Sequence, residues 1–232
     1  MILLALDSTA TVATAAIVKD GTVLAADTLQ CGRTHSETLL PLIETLYQKA
    51  GLTPYEIDIF ACSAGPGSFT GVRIGVALIK GLAFGGRPCV GVSTLEALAE
   101  NLSAFSGIIS PVMDARRGQV YNALFRAENG VLTRLTPDRV IMLEDLNAEL
   151  AAYHEPIRLC GDGYALTETT VLHPQKVATS PELVMQNAVS VAKVAMREYR
   201  MGKAVSDRVL RPIYLRAPQA ERERNEKLKQ TT

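Results

Sequence analysis

The segment from Gly65 to Gly86 constrains this 232-residue chain more than any other. It opens with Gly65-Pro66-Gly67-Ser68-Phe69-Thr70-Gly71, directly after the apolar run Ile57 to Ala64, and continues as a helix predicted to reach about Phe84. At 100° per residue, Gly71, Gly75, Gly81 and Gly85 fall within one arc of about 120°, with Leu78 and Leu82 on the same stripe. Arg73 and Lys80 sit on the opposite side. Four glycines cost a helix roughly 3–4 kcal/mol against alanine. Close approach of another element offsets such a cost, so the stripe marks a tight packing face, either in the protein's own core or against a partner subunit. Nearly all remaining residues of the helix are apolar, which calls for burial on more than one side.

A glycine-rich loop that opens a helix can also cradle an anion on its backbone N–H groups. Here no Gly-Lys-Ser/Thr follows, so the loop is not a Walker loop, and glycines at 65, 67 and 71 do not fit Gly-x-Gly-x-x-Gly. A turn that lets backbone approach backbone accounts for them equally well.

The chain around this segment alternates strands and helices, which indicates an α/β protein. Ile2 to Leu6, Val12 to Val18 and Thr22 to Leu29 read as a three-stranded meander with an Asp20-Gly21 turn. Leu39, Leu40, Leu42, Ile43, Leu46 and Tyr47 recur at helical spacing, with Ser36 or Thr38 as the cap. Pro41 makes this helix start late or bend. Pro88 to Val92 is a strand, and Ser93 caps a helix to about Leu102. The second half opens like the first: strand Ile108 to Met113, Asp114, a turn, a strand at Val120 to Arg126, then Asn129-Gly130 into Val131 to Leu135. Helices near Glu144 to Tyr153 and Leu183 to Tyr199 and a strand at Ile157 to Cys160 follow. Two similar lobes are expected, residues 1–104 and 105–217, with a polar, disordered tail at 218–232.

Chemistry-bearing residues are sparse. Asp7-Ser8-Thr9 at the end of the first strand can present N–H groups and a carboxylate to a phosphate and its metal, or make an ordinary Asx-turn. Asp114 is its counterpart in the second half. His35, His154 and His173 are too far apart for a helical metal pair, and no Gly-x-Ser-x-Gly elbow occurs. Cys31, Cys62, Cys89 and Cys160 form no Cys-x-x-Cys pair and read as buried thiols. The formal net charge is zero, which leaves no domain-wide basic excess for independent nucleic-acid binding. The chain has neither a signal-like start nor an 18-residue apolar stretch, so a cytoplasmic protein without a membrane span is expected.

Several blocks resemble the TsaB (YeaZ) family. They are Leu4-Ala5-Leu6-Asp7-Ser8-Thr9, Thr34-His35-Ser36-Glu37-Thr38-Leu39-Leu40-Pro41, Gly65 through Gly75, Gly91-Val92-Ser93-Thr94-Leu95, Asp114 through Tyr121, and Pro212-Ile213-Tyr214-Leu215-Arg216. The stretch from about Arg126 to Ser206 carries little of the likeness. The resemblance implies an actin/hexokinase-like (ribonuclease H-like) two-lobed fold. It implies a non-catalytic subunit in the making of threonylcarbamoyladenosine beside the tRNA anticodon, stabilising a TsaD-like catalytic subunit and working with a TsaE-like ATPase. Such chains pair through two N-lobe helices, as homodimers alone or with the catalytic subunit. The implied interface residues are His35, Leu39, Leu42, Ile43, Leu46, Gly71, Arg73, Gly75, Leu78 and Leu82. Contact with tRNA is expected only through the complex. No metal, catalytic residue or cofactor is assigned to the isolated chain, and ATP or ADP is expected, if anywhere, at the complex interface. The alternative is a nucleotide-binding ATPase or phosphotransferase of the same fold class, using Asp7, Ser8, Thr9 and Asp114.

Overall fold

A computed structural model describes residues 1–30 and 34–216. Cys31 and the expected tail at 218–232 lie outside the described residues. Strands β1 (Ile2–Asp7), β2 (Ala13–Lys19) and β3 (Thr22–Leu29) form the expected meander, with Asp20 and Gly21 both at positive φ in the turn that joins β2 to β3. β4 (Ile59–Gly65) then pairs parallel with β1, and β5 (Pro88–Ser93) parallel with β4. The resulting order, 3-2-1-4-5, is the ribonuclease H-like arrangement, extended at the β5 edge by a short strand, β12 (Val205–Ser206).

This sheet is covered on both faces, which is why its central strands read as continuous apolar runs. On one face Leu4, Leu6, Phe60 and Ile17 meet α1 (His35–Ala50) and α2 (Phe69–Leu82) through Ile43, Leu46, Val76 and Ile79. On the other, Leu3, Ala5, Ala61 and Val90 meet α7 (Ala188–Arg200) through Ala188, Val191 and Ala195. The period-two alternation of β1 thus serves two cores at once.

The second sheet repeats the plan. β6 (Gly107–Asp114) pairs antiparallel with β7 (Gln119–Asn122) and then with β8 (Phe125–Glu128), which together act as one strand interrupted at Ala123 and Leu124. The single strand expected at 120–126 is therefore broken, and Leu124 instead bonds the loop, donating its N–H to Thr136 Oγ1. β9 (Val131–Arg134) and β10 (Arg139–Met142) pair with β8 and β7. β11 (Ile157–Cys160) lies parallel on the other side of β6. The order is again 3-2-1-4, with Asp114 opposite Val120 as Asp7 is opposite Thr14. The protein is an α/β, actin/hexokinase-like chain of two related lobes.

Three details depart from the sequence expectations. α7 and β12 fall in the expected second lobe, but they return to the first sheet, because the face left bare by α1 and α2 needs an apolar cover. α1 starts at His35 with Thr34 as its cap and runs through Pro41, so it does not start late. Thr34 N–H donates to Glu37 Oε2 at 3.1 Å, which satisfies the helix entry where Ser36 or Thr38 was expected to do so. α2 ends at Leu82, so Gly85 and Gly86 lie beyond it, both at positive φ. The remaining helices are α3 (Thr94–Glu100), capped by Ser93, then α4 (Leu143–Leu150), α5 (Tyr164–Thr170) and α6 (Pro181–Val184). No helix among the described residues is long and apolar enough to cross a membrane. Cys62, Cys89 and Cys160 are free and buried.

Candidate functional site

The turn after β1 is sealed by α2. Asp7, Ser8 and Thr9 have essentially no solvent exposure. Asp7 Oδ1 accepts from the Thr9 N–H and the Thr9 hydroxyl, each at 2.7 Å, in an Asx-type turn. Burial pushes the Asp7 carboxyl above its ordinary range, opposed by the nearby Ser63 and Thr9 groups and by the charge of His35. Its Oδ2 has no partner at hydrogen-bonding geometry among the described residues. Ser8 Oγ donates to the Gly71 carbonyl at 2.9 Å, and the Ser68 N–H donates to the Thr9 carbonyl at 2.7 Å.

These bonds explain the glycines. A Cβ at Gly71 would collide with the Ser8 carbonyl, and one at Gly75 would stand 2.6 Å from Ser8 Oγ and 3.0 Å from Leu6 Cδ1. At Gly67 it would meet Thr9 at 2.7 Å, and at Gly65 it would collide with the Ile213 carbonyl. The glycines thus let the loop pack against the turn after β1, while Gly67, Ser68 and Thr70 of the same loop line the cleft between the lobes. Of the residues expected as nucleotide ligands, Thr9 and Asp114 line the cleft, whereas Asp7 and Ser8 are buried beside it.

The cleft between the lobes, about 650 Å³, is lined by Thr9, Asp114, Arg116, Tyr121, Asp162 and Arg216 among others. Asp114 turns back on its own loop, accepting from the Arg116 N–H at 2.7 Å and pairing with its guanidinium at 3.1 Å. Asp162, between Gly161 and Gly163 after β11, accepts from the Asp114 N–H at 3.3 Å. Burial, with the neighbouring Asp114 and Asp7 charges, pushes its pKa up to about 6. Sequence reasoning missed Asp162, although glycines flanking an acid after a strand repeat the logic of the first turn.

Residues 213–216 strap across this cleft. The Ile213 N–H donates to the Ala64 carbonyl at 2.7 Å in the first lobe, and Arg216 Nη1 donates to the Ala115 carbonyl at 2.6 Å in the second. Tyr214 stacks on Phe69 with ring centroids 4.8 Å apart, and its hydroxyl accepts from Arg73 Nε at 2.8 Å.

The expected interface residues divide into two sets. Leu39, Leu42, Ile43 and Leu46 are between 0% and 4% exposed, and Gly71 and Gly75 face β1. Their side chains belong to the protein's own core, because a helix on a sheet must spend its most apolar stripe there. His35 is committed by its Nε2 to the Ala10 carbonyl at 2.7 Å. The outward face is made by Leu40, Pro41 and Glu44 of α1 and by Arg73, Ala77 and Gly81 of α2, flanked by half-buried Leu78 and Leu82. A Cβ on Gly81 would meet nothing within 4 Å. Just past α2, Phe84 is 80% exposed.

Comparison with known proteins places this geometry in a family. A family model described as "TsaD: tRNA N6-adenosine threonylcarbamoyltransferase" matches residues 29–224. The tRNA threonylcarbamoyladenosine biosynthesis protein TsaB of Bacillus subtilis is 36% identical over 178 residues, 76% of this chain and 75% of that protein. The TsaB of Escherichia coli is 31% identical over 220 residues, 93% of this chain and 95% of its own length. The chain belongs to the TsaB branch of this family. A crystal structure from Pseudomonas aeruginosa, described as an uncharacterized protein with similarity to peptidase YEAZ, superposes with a TM-score of 0.81. It is 28% identical and covers 93% of this chain and 99% of its own. By contrast, a tRNA N6-adenosine threonylcarbamoyltransferase of Erythrobacter litoralis is 38% identical over 68 residues, 29% of this chain and 20% of that protein. The TsaB likeness is global, whereas the likeness to that transferase is local.

Proposed function

We propose that this chain is the non-catalytic subunit of the assembly that transfers a threonylcarbamoyl group to the adenosine beside the tRNA anticodon. Its role is to hold the TsaD-type catalytic subunit in a competent state. The observation that carries this reading is the division of α1 and α2 into a sealed inner face and an open outer one. The inner face completes the first lobe. The outer face, with Leu40, Gly81 and half-buried Leu78 and Leu82, presents small and apolar groups to a partner helix pair. The likeness to TsaB proteins over most of the chain supports the same role.

In this reading the same face forms a homodimer when the catalytic subunit is absent. A TsaE-type ATPase joins the assembly, and the chain works in the cytoplasm. ATP or ADP binds only where subunits meet. Reconstitution tests the proposal directly. The catalytic subunit, the ATPase and a threonylcarbamoyl-adenylate source should modify tRNA with this chain present and lose most activity without it. Equal modification in its absence would refute the subunit role. The nucleotide-hydrolase alternative is tested by calorimetry with ATP and magnesium, where tight binding to the isolated chain would favour it.

A further inference from the structure

On the flank of α2 away from β1, a groove of about 420 Å³ separates the helix from the returning segment 208–212. Arg73, Lys80, Arg208 and Arg211 line it, together with Leu210 and Pro212, and no acidic residue does. None of the four cations forms an ion pair with a described residue. Elsewhere, Arg116, Arg126, Arg134, Arg139 and Arg197 all hold carboxylates. The neighbouring acid in sequence, Asp207, is buried, accepts the Gly86 N–H at 3.1 Å and does not line the groove.

Two of the cations are held in place by neutral groups. Arg73 donates to the Tyr214 hydroxyl and lies 3.8 Å above the Phe69 ring centroid. Lys80 Nζ donates to the Leu210 carbonyl at 3.2 Å. Such partners fix geometry without forming an ion pair. Arg208 and Arg211 are exposed. In a chain of zero net charge this is a local concentration of cations.

We propose that this groove binds the phosphate backbone of RNA, and that through it the subunit contacts the tRNA being modified. The inference rests on the functional reading above. An open groove with cations spread along both walls suits a chain of phosphates rather than one small anion, which needs converging donors. The Phe69–Tyr214 stack beside it, with Tyr214 40% exposed, offers a ring face to an unpaired base. This sharpens the expectation drawn from net charge alone: the contact is too small to hold RNA independently, and it acts within the complex. Four phosphate contacts correspond to a log–log salt slope on the order of −3.

The test uses full-length chain assembled with its catalytic subunit and fluorescein-labelled tRNA, followed by anisotropy across a salt series. The double variant Arg208→Glu/Arg211→Glu should assemble normally and weaken tRNA binding tenfold or more at low salt. Its salt slope should be shallower by about 1.5. Unchanged affinity and slope would overturn the proposal. Loss of assembly in the double variant would assign the groove to an acidic protein surface and would equally overturn it. Failure of the wild-type complex to modify tRNA at all would instead count against the functional reading on which the inference rests.

Discussion

The two ends of α2 carry the same residue for opposite reasons. At its N-terminal end, Gly71 and Gly75 exist because the Ser8 carbonyl and hydroxyl occupy the space a side chain would need. At its C-terminal end, Gly81 faces open space and nothing in the monomer requires it. One stripe on a helical wheel is therefore two devices. The inner glycines weld the helix to the turn after β1. The outer one keeps the surface low where another molecule can approach closely. The lesson is that a helix can present one periodic signal to two different neighbours.

The largest expected effect breaks the inner weld. Gly75→Leu drives a branched side chain into Ser8 and Leu6, and it should cost about 3 kcal/mol or more of stability. Chemical denaturation measures this directly, and a near-native midpoint would show that Gly75 does not face its own lobe.

A smaller effect distinguishes the sealed turn from the cleft. Asp7 and Asp162 are both raised by burial, but only Asp162 lines the cleft. The folded state holds the Asp162 proton more tightly than the unfolded state does. Its contribution is thus fully present below about pH 4 and is lost as pH rises through about 6. Asp162→Asn should remove that loss, stabilising the protein by about 2 kcal/mol at pH 8 and by little at pH 4. A pH-independent change would mean that Asp162 titrates normally.

The smallest effect concerns the outer end alone. Gly81→Ala should raise stability by about 0.5 kcal/mol, since it removes backbone freedom from the unfolded chain and meets no obstacle. A loss of stability in the isolated chain would place Gly81 in a hidden contact.

Much of this architecture is legible in the residues. Strand-period runs, the Asp20-Gly21 turn and the matching Asp7 and Asp114 give both meanders, and the doubled opening gives the two lobes. The destination of each element is harder to read. Periodicity says that α7 has an apolar stripe, but it does not say which sheet is missing a cover. The wheel showed that Gly71, Gly75 and Gly81 share an arc, but helix length and neighbours decide what each one faces, and Gly85 falls outside the helix altogether. Leu39, Leu42, Ile43 and Leu46 read equally well as interface or core, because both demand the same apolar spacing. The strap at 213–216 and Asp162 carry no period at all, since they act through main-chain bonds and loop position.

The central claim is that the open end of α2 is the partner-facing one. It is tested most directly by sedimentation of Gly81→Leu mixed with the TsaD-type catalytic subunit, with thermal unfolding of the isolated variant as its control. The account predicts an isolated chain that melts within a few degrees of wild type and a heterodimer weakened tenfold or more. A heterodimer of wild-type affinity would contradict it.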